Sequence, residues 1–330
     1  MESASRFRLW LGGLRRLFLL GSLIVVASLS WSAADAATTA IKARLVEHSL
    51  LLAGSNVKGL TVVVGERGHV LHSEDDGRSW QQAEVPTRAT LTGVFFHDKN
   101  LGWAVGHGQT ILKTTDGGKT WQLVHAPADA ESPLLDVWFA DSRHGYAVGA
   151  YGTFLATGDG GESWSERRIT EEDFHLNQIV TAGGERLFIA AEGGKILRSD
   201  DGGKTWALLP PPYAGSFFGA LPLGAKSLLI FGLRGHLFRS DDTGESWRKI
   251  PTGTEASLTD GLLLADGTIV IAGLAGTLLF SHDQGHTFSS HQQSDRKGFT
   301  AILSAGAGQL VGVGEFGVKQ LSINSILTVK

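Results

Sequence analysis

With 330 residues, 42% of them hydrophobic and 19% charged, the chain falls in the globular range and is long enough for one large domain or two ordinary ones. It has no cysteine, which excludes disulfides, cysteine nucleophiles, thiolate metal sites and a lipid-modified amino-terminal cysteine. A formal net charge of −4 argues against generic phosphate-backbone binding, so no nucleic-acid partner is expected. The 44 glycines stand against only 8 prolines, a balance that indicates many tight turns rather than disorder.

Residues 1–36 read as an export signal. Arg6, Arg8, Arg15 and Arg16 precede an uncharged stretch from Leu17 to Ala34, and Ala34-Asp35-Ala36 offers a small-x-small cleavage site. Arg15-Arg16 also resembles a twin-arginine motif, with Leu14 where Ser or Thr is usual. The protein is therefore expected in the periplasm, or in the thylakoid lumen of a phototroph, with residues 37–330 forming the folded part. An uncleaved membrane anchor is the alternative, although the apolar core is short for a span.

One motif then recurs six times: Ser73-Glu-Asp75-Asp-Gly77-Arg-Ser79-Trp80, followed by copies centred on Asp116, Asp159, Asp201, Asp242 and Asp283. The Asp positions lie 41, 43, 42, 41 and 41 residues apart. A Gly-x-x-Gly turn precedes most copies, as at Gly65 to Gly68, Gly149 to Gly152 and Gly232 to Gly235; Gly106-His-Gly108 and Glu192-Gly-Gly194 depart slightly. An apolar residue opens each unit, at Leu50, Leu91, Leu134, Leu176, Phe217, Leu258 and Phe299, which makes seven units. In the second unit the strands are expected at Leu91–Phe96, Trp103–Gly106, Thr110–Thr114 and Trp121–Val124. Four short strands per repeat of about 42 residues predict an all-β, single seven-bladed β-propeller. The seventh box is degenerate, Ser322 to Val329, and the sequence stops where its outer strand should begin. The segment Ile41 to Val46 has the position and length to supply that strand, so ring closure by an amino-terminal strand is expected.

The box residues suit a local structural role. The Asp can accept backbone N–H groups within the turn, the first Ser or Thr can add a second bond, and the Trp begins the outer strand. One carboxylate per blade does not make a metal site, so Asp75, Asp116, Asp159, Asp201, Asp242 and Asp283 are read as structural, with no metal and no cofactor.

These boxes resemble the bacterial neuraminidase repeat. The whole pattern, over residues 41–330, is similar to the photosystem II stability and assembly factor family and its exported bacterial relatives. That resemblance implies a non-enzymatic assembly or accessory factor whose partner is an integral membrane protein or a subunit of a membrane complex, with no small-molecule substrate. An accessory subunit of an envelope exporter and a sialidase- or glycosidase-like hydrolase remain as alternatives. Against the hydrolase, no Arg-Ile-Pro motif precedes the first box, and only Tyr146, Tyr151 and Tyr213 could serve as a tyrosine nucleophile. Tyr146 reads as packing, and Glu171-Glu172-Asp173 as a solvated charge run rather than a carboxylate pair. His282 and His286 stand four apart, but in a turn, where that spacing does not converge on a metal. No catalytic residue is assigned. The face opposite the boxes carries the variable loops, and Arg67, Tyr151, Arg234 and Phe316 on its turns are the candidate partner-binding residues.

Overall fold

The computed structural model describes residues 39–306 and 308–328. Seven antiparallel sheets follow one another along the chain. Blade one comprises β1 (Leu51–Val57), β2 (Leu60–Gly65), β3 (Val70–Ser73) and β4 (Gln81–Gln82), and blade two β5 (Leu91–Phe96), β6 (Gly102–Gly106), β7 (Ile111–Thr114) and β8 (Gln122–His125). Blade three comprises β9 (Leu134–Phe139), β10 (Gly145–Gly149), β11 (Phe154–Thr157) and β12 (Ser165–Glu166), and blade four β13 (Leu176–Thr181), β14 (Leu187–Ala191), β15 (Ile196–Ser199) and β16 (Ala207–Leu208). Blade five comprises β17 (Phe217–Pro222), β18 (Leu228–Gly232), β19 (Leu237–Ser240) and β20 (Arg248–Ile250), and blade six β21 (Leu258–Leu263), β22 (Ile269–Gly273), β23 (Thr277–Ser281) and β24 (Ser289–Gln292). Blade seven has three strands, β25 (Phe299–Ser304), β26 (Gln309–Gly314) and β27 (Gly317–Ser322), then a short helix α1 (Ile323–Thr328).

The expected strands of the second unit match within a residue, and the first unit opens at Leu51 rather than Leu50. Leu51 is fully buried, whereas Leu50 is exposed. The second strand of each blade is sandwiched between sheets and reads as a buried, mainly apolar run, such as Val62–Val64, Leu187–Ala191 or Ile269–Ala272. Apolar clusters fill each gap between neighbouring blades, for example Trp103, Val105, Ile111, Leu134 and Phe139 between blades two and three.

The innermost strands form a ring around a central channel, and each contains a β-bulge near its start. Side chains at the second strand position staple blade to blade: Thr92 Oγ1 donates to Leu134 O at 2.6 Å, Asn177 Nδ2 to Phe217 O at 2.8 Å and Thr259 Oγ1 to Phe299 O at 2.9 Å. Thr300 Oγ1 makes the same bond to Leu51 O at 2.9 Å, across the seam between blades seven and one.

That seam corrects the expected closure. Among the described residues no amino-terminal strand joins blade seven. Gln82 captures the segment instead, its Oε1 accepting Ala43 N and its Nε2 donating to Ile41 O, both at 2.9 Å, so residues 39–43 lie along the outer rim of blade one. A turn at Arg44–Leu45 and a one-turn 3-10 helix, Val46–His48, then insert Val46 into the cluster formed by Leu51, Val63, Leu71, Ala301, Leu303 and Val311. The ring closes through this cluster, the Thr300 staple and the bond from Asn56 Nδ2 to Ser304 O. At the other terminus the degenerate seventh box is helical. It lacks the Asp and Gly the turn needs, and Ile323, Ile326 and Leu327 pack α1 against Leu310 and Leu321.

Candidate partner-binding face

Each Asp box closes on itself. In the first, Asp75 Oδ1 accepts Ser79 N at 2.9 Å and Ser73 Oγ at 2.7 Å, Oδ2 accepts Ser79 Oγ at 2.6 Å, and Ser73 Oγ accepts Gly77 N at 2.9 Å. The other five boxes repeat the pair of bonds from the fifth residue, as at Asp116 and Asp283. These hydroxyl and N–H donors hold the carboxyls of Asp75, Asp159, Asp201, Asp242 and Asp283 below the usual carboxylate range, Asp242 at about 2. The indoles of Trp80, Trp121, Trp164 and Trp206 donate back to the box glycine carbonyl, at 3.1 Å for Trp80 and 3.0 Å for Trp121.

The boxes also join blades. The residue after the box Asp has positive φ, and in the third to sixth boxes the preceding blade binds its carbonyl: Trp103 Nε1 to Gly160 O at 3.0 Å, Tyr146 OH to Gly202 O at 2.7 Å, Arg198 Nη1 to Thr243 O at 3.0 Å, and Arg239 Nη1 to Gln284 O. Tyr146 thus has its hydroxyl engaged between blades. The other residues weighed for catalysis are dispersed. Glu172 pairs with Lys195 at 2.9 Å and Asp173 with Arg168 at 3.7 Å, while His286 meets Arg248 and His282 meets Thr268. Among the described residues no group of three or more His, Cys, Asp or Glu could hold a metal ion.

The opposite face carries the turns between second and third strands and the loops between blades. In blades one to five this turn is a tight 3-10 turn, and in blades six and seven it is a plain turn at residues 274–276 and 315–316. In blade one Gly65 passes so close to Leu50 O that a Cβ would overlap it, and Glu66 N donates to Leu50 O at 3.0 Å. The third turn residue is left-handed: Arg67 at φ 56°, Tyr151 at 55°, Arg234 at 57° and Ala275 at 55°. Gly108 and Gly193 hold the same position at 62°. The two sequence departures are therefore the same four-residue turn with a glycine moved to the left-handed position.

Arg67, Tyr151 and Arg234 project into solvent, Tyr151 with 65% of its surface exposed and its ring edge-on to His175 at 5.0 Å. Arg67 has a loose contact with Glu66, at 3.9 Å, and Arg234 forms no ion pair or side-chain hydrogen bond among the described residues. Phe316 differs: it is half-buried against Phe299 at 5.1 Å, with Lys319 over its ring. These four residues stand on alternate blades and do not converge on one pocket.

Sequence reasoning missed two channel carboxylates at the third position of an inner strand. Asp136 Oδ1 accepts Val137 N at 2.9 Å and its Oδ2 accepts Ile179 N of the next blade at 3.0 Å. Asp260 binds Gly261 N and Ile302 N in the same way, both at 2.8 Å. Both face a channel cavity of about 170 Å³. Burial pushes Asp136 up to about 7 and Asp260 up to about 6, against the pull of the N–H donors. Gln178 makes the same bridge without charge, its Oε1 accepting Ala220 N at 2.9 Å. The available signal was an Asp at the same register of two inner strands.

The ring, its self-closing boxes and its one face of variable loops define a seven-bladed Asp-box propeller. Within that class, residues 72–133 and 123–261 match the sequence profile of the photosynthesis system II assembly factor YCF48, and the chain belongs to that family. No curated protein sequence matches it. Among solved structures it is similar to YCF48 bound to a D1 peptide, at 20% identity and a TM-score of 0.67, over 84% of this chain and 94% of that one. It is likewise similar to YCF48 from Cyanidioschyzon merolae, at 16% identity and a TM-score of 0.68, over 84% and 97% of the two chains. The WD40 propeller domain of Doa1 matches at 11% identity and a TM-score of 0.68, over 82% and 92%. Nothing in these matches supports the exporter-subunit or sialidase-like alternative. The expected export signal, residues 1–36, lies outside the described residues, among which no helix is long and apolar enough to cross a membrane.

Proposed function

We propose that the chain is a non-enzymatic, exported scaffold that binds a segment of an integral membrane protein during assembly of its complex, through the face opposite the Asp boxes. The observation that carries this reading is the left-handed backbone at Arg67, Tyr151 and Arg234. A non-glycine residue there costs about 1 kcal/mol or more, and the same turn accepts glycine in blades two and four. Stability alone favours glycine at all three positions. Ala275 on this face and Asp76, Thr243 and Gln284 in the boxes bear the same cost, so what sets the three turns apart is that they carry large, exposed Arg and Tyr side chains, the residue types that supply most interface anchors. Membership of the YCF48 family and the peptide carried by one YCF48 structure support the same reading.

The test is a combined Arg67→Gly, Tyr151→Gly, Arg234→Gly variant. Glycine removes the side chains and relieves the backbone, so the melting temperature should stay level or rise while capture of a membrane partner from solubilised membranes falls. A variant that melts as expected and captures its partner undiminished refutes the assignment of this face.

A further inference from the structure

The rim of blade one shows what its outer surface binds. There the chain's own residues 39–43 run along the rim, with Ala40 N donating to Val85 O at 2.9 Å, Arg88 Nε to Thr39 O at 2.9 Å, and Gln82 clamping Ile41 and Ala43. Blade four repeats this rim residue for residue. Ala83 N bonds Val70 O as Leu209 N bonds Ile196 O, and Leu71 pairs with Gln82 as Leu197 pairs with Leu208. The following loops reach the next inner strand in the same number of residues, and Gly68 abuts Thr87 O as Gly194 abuts Tyr213 O. Gln82 therefore corresponds to Leu208, Val85 to Pro211 and Arg88 to Ala214.

On blade four nothing among the described residues covers this position. It is an open groove of about 440 Å³ lined by Lys195, Leu208, Pro211, Pro212 and Tyr213, with Leu208 52% exposed and Pro211 O without a donor. Tyr213 stacks on His236 of blade five at 4.0 Å and 8°, which joins this groove to its counterpart on that blade, where Arg234, His236 and Lys249 face the single carboxylate of Glu255.

We infer that the blade-four groove docks an extended peptide segment of another protein, one with an aliphatic side chain seated on Leu208 and acidic residues directed toward Arg234 and Lys249. The precedent on blade one sets its direction. The Thr39 end of the chain's own rim segment lies at Arg88, so the guest's amino-terminal end lies at Ala214, beside blade five, and the acidic residues precede the aliphatic one. The extended form follows from the acceptor at Pro211 O, which stands where Val85 O takes a strand N–H, and from the proline–tyrosine walls. The chain's own rim segment does not serve as guest, because it is already engaged on blade one. The inference rests on the reading of the chain as a partner-binding scaffold but concerns a surface separate from the Arg67 and Tyr151 turns.

The probe is a fluorescein-labelled ten-residue peptide with two glutamates followed by alternating threonine and valine, titrated by polarisation against the full mature chain. The expected result is saturable binding that weakens at least tenfold in Leu208→Glu, and at least tenfold when lysines replace the peptide glutamates, with the melting temperature unchanged. An Arg67→Gly, Tyr151→Gly variant leaves the groove intact and should bind the peptide normally, so loss of membrane capture in that variant reports on the turn face alone. Absence of binding by the wild type, or binding indifferent to Leu208→Glu in a folded variant, overturns the inference.

Discussion

Replacing Asp136 with asparagine tests whether a channel carboxylate makes the ring sensitive to pH. Its folded pKa, about 7, lies above the value of about 3.9 for an unfolded Asp, so the folded protein holds the proton more tightly. The resulting stability is fully present below pH ~4 and is lost as pH rises through about 7; Asp260 acts in the same sense through about 6. Three pK units correspond to about 4 kcal/mol at most, and to less as channel water solvates the carboxylate. For a domain of this size that is a fall of several degrees in melting temperature between pH 5 and 8. Asparagine cannot ionise, but Val137 N and Ile179 N bond separate oxygens of Asp136 and asparagine places an NH2 donor at one of them, so one buried bond of about 1 kcal/mol is lost. Thermal unfolding followed by circular dichroism from pH 5 to 8 should show a falling wild-type midpoint and a shallower slope in Asp136→Asn. A wild-type midpoint that is flat or rising over this range, or an Asp136→Asn slope equal to the wild type's, refutes the reasoning.

Further outcomes follow from the same geometry. The box carboxyls have folded pKa values below the unfolded value, so their contribution is present above pH ~4 and lost as pH falls toward 2; the opposed channel and box effects place the thermal maximum near pH 4–6, checked by a pH series of melts. Trp121→Ala empties a buried indole site packed edge-on against Phe96 and should cost about 3–5 kcal/mol in urea unfolding. Calcium or a chelator should leave the midpoint unchanged, because each box carboxylate is engaged within its own turn; a shift of several degrees would contradict this. Deleting residues 39–47 removes Val46 from the seam and uncovers the blade-one rim, so the midpoint should drop, measured against the same chain without the deletion.

Periodicity made the propeller legible because every blade solves the same local problem with the same residues. The Asp, Gly and Trp of each box act within eight residues of each other, and a local motif can be read locally. The termini were not legible on the same terms. The spacing put Ile41 at the place of an outer strand, but the decisive partner, Gln82, lies 41 residues away and belongs to the neighbouring blade. Ser322 to Val329 kept the period while losing the Asp and Gly that make the turn, and without them apolar packing at Ile323 and Leu327 prevailed. The turn face was found by its residue types, whereas the left-handed backbone that distinguishes Arg67, Tyr151 and Arg234 from Phe316 required coordinates.

The central claim is that partners meet the face opposite the boxes. It is tested most directly by placing a photo-crosslinking amino acid at Tyr151, or at Glu162 in a box turn, in cells producing the protein, and identifying adducts by mass spectrometry. Both positions are exposed, so both variants should fold. The account predicts an adduct with an integral membrane protein from position 151 and none from position 162; adducts from 162 alone would contradict it.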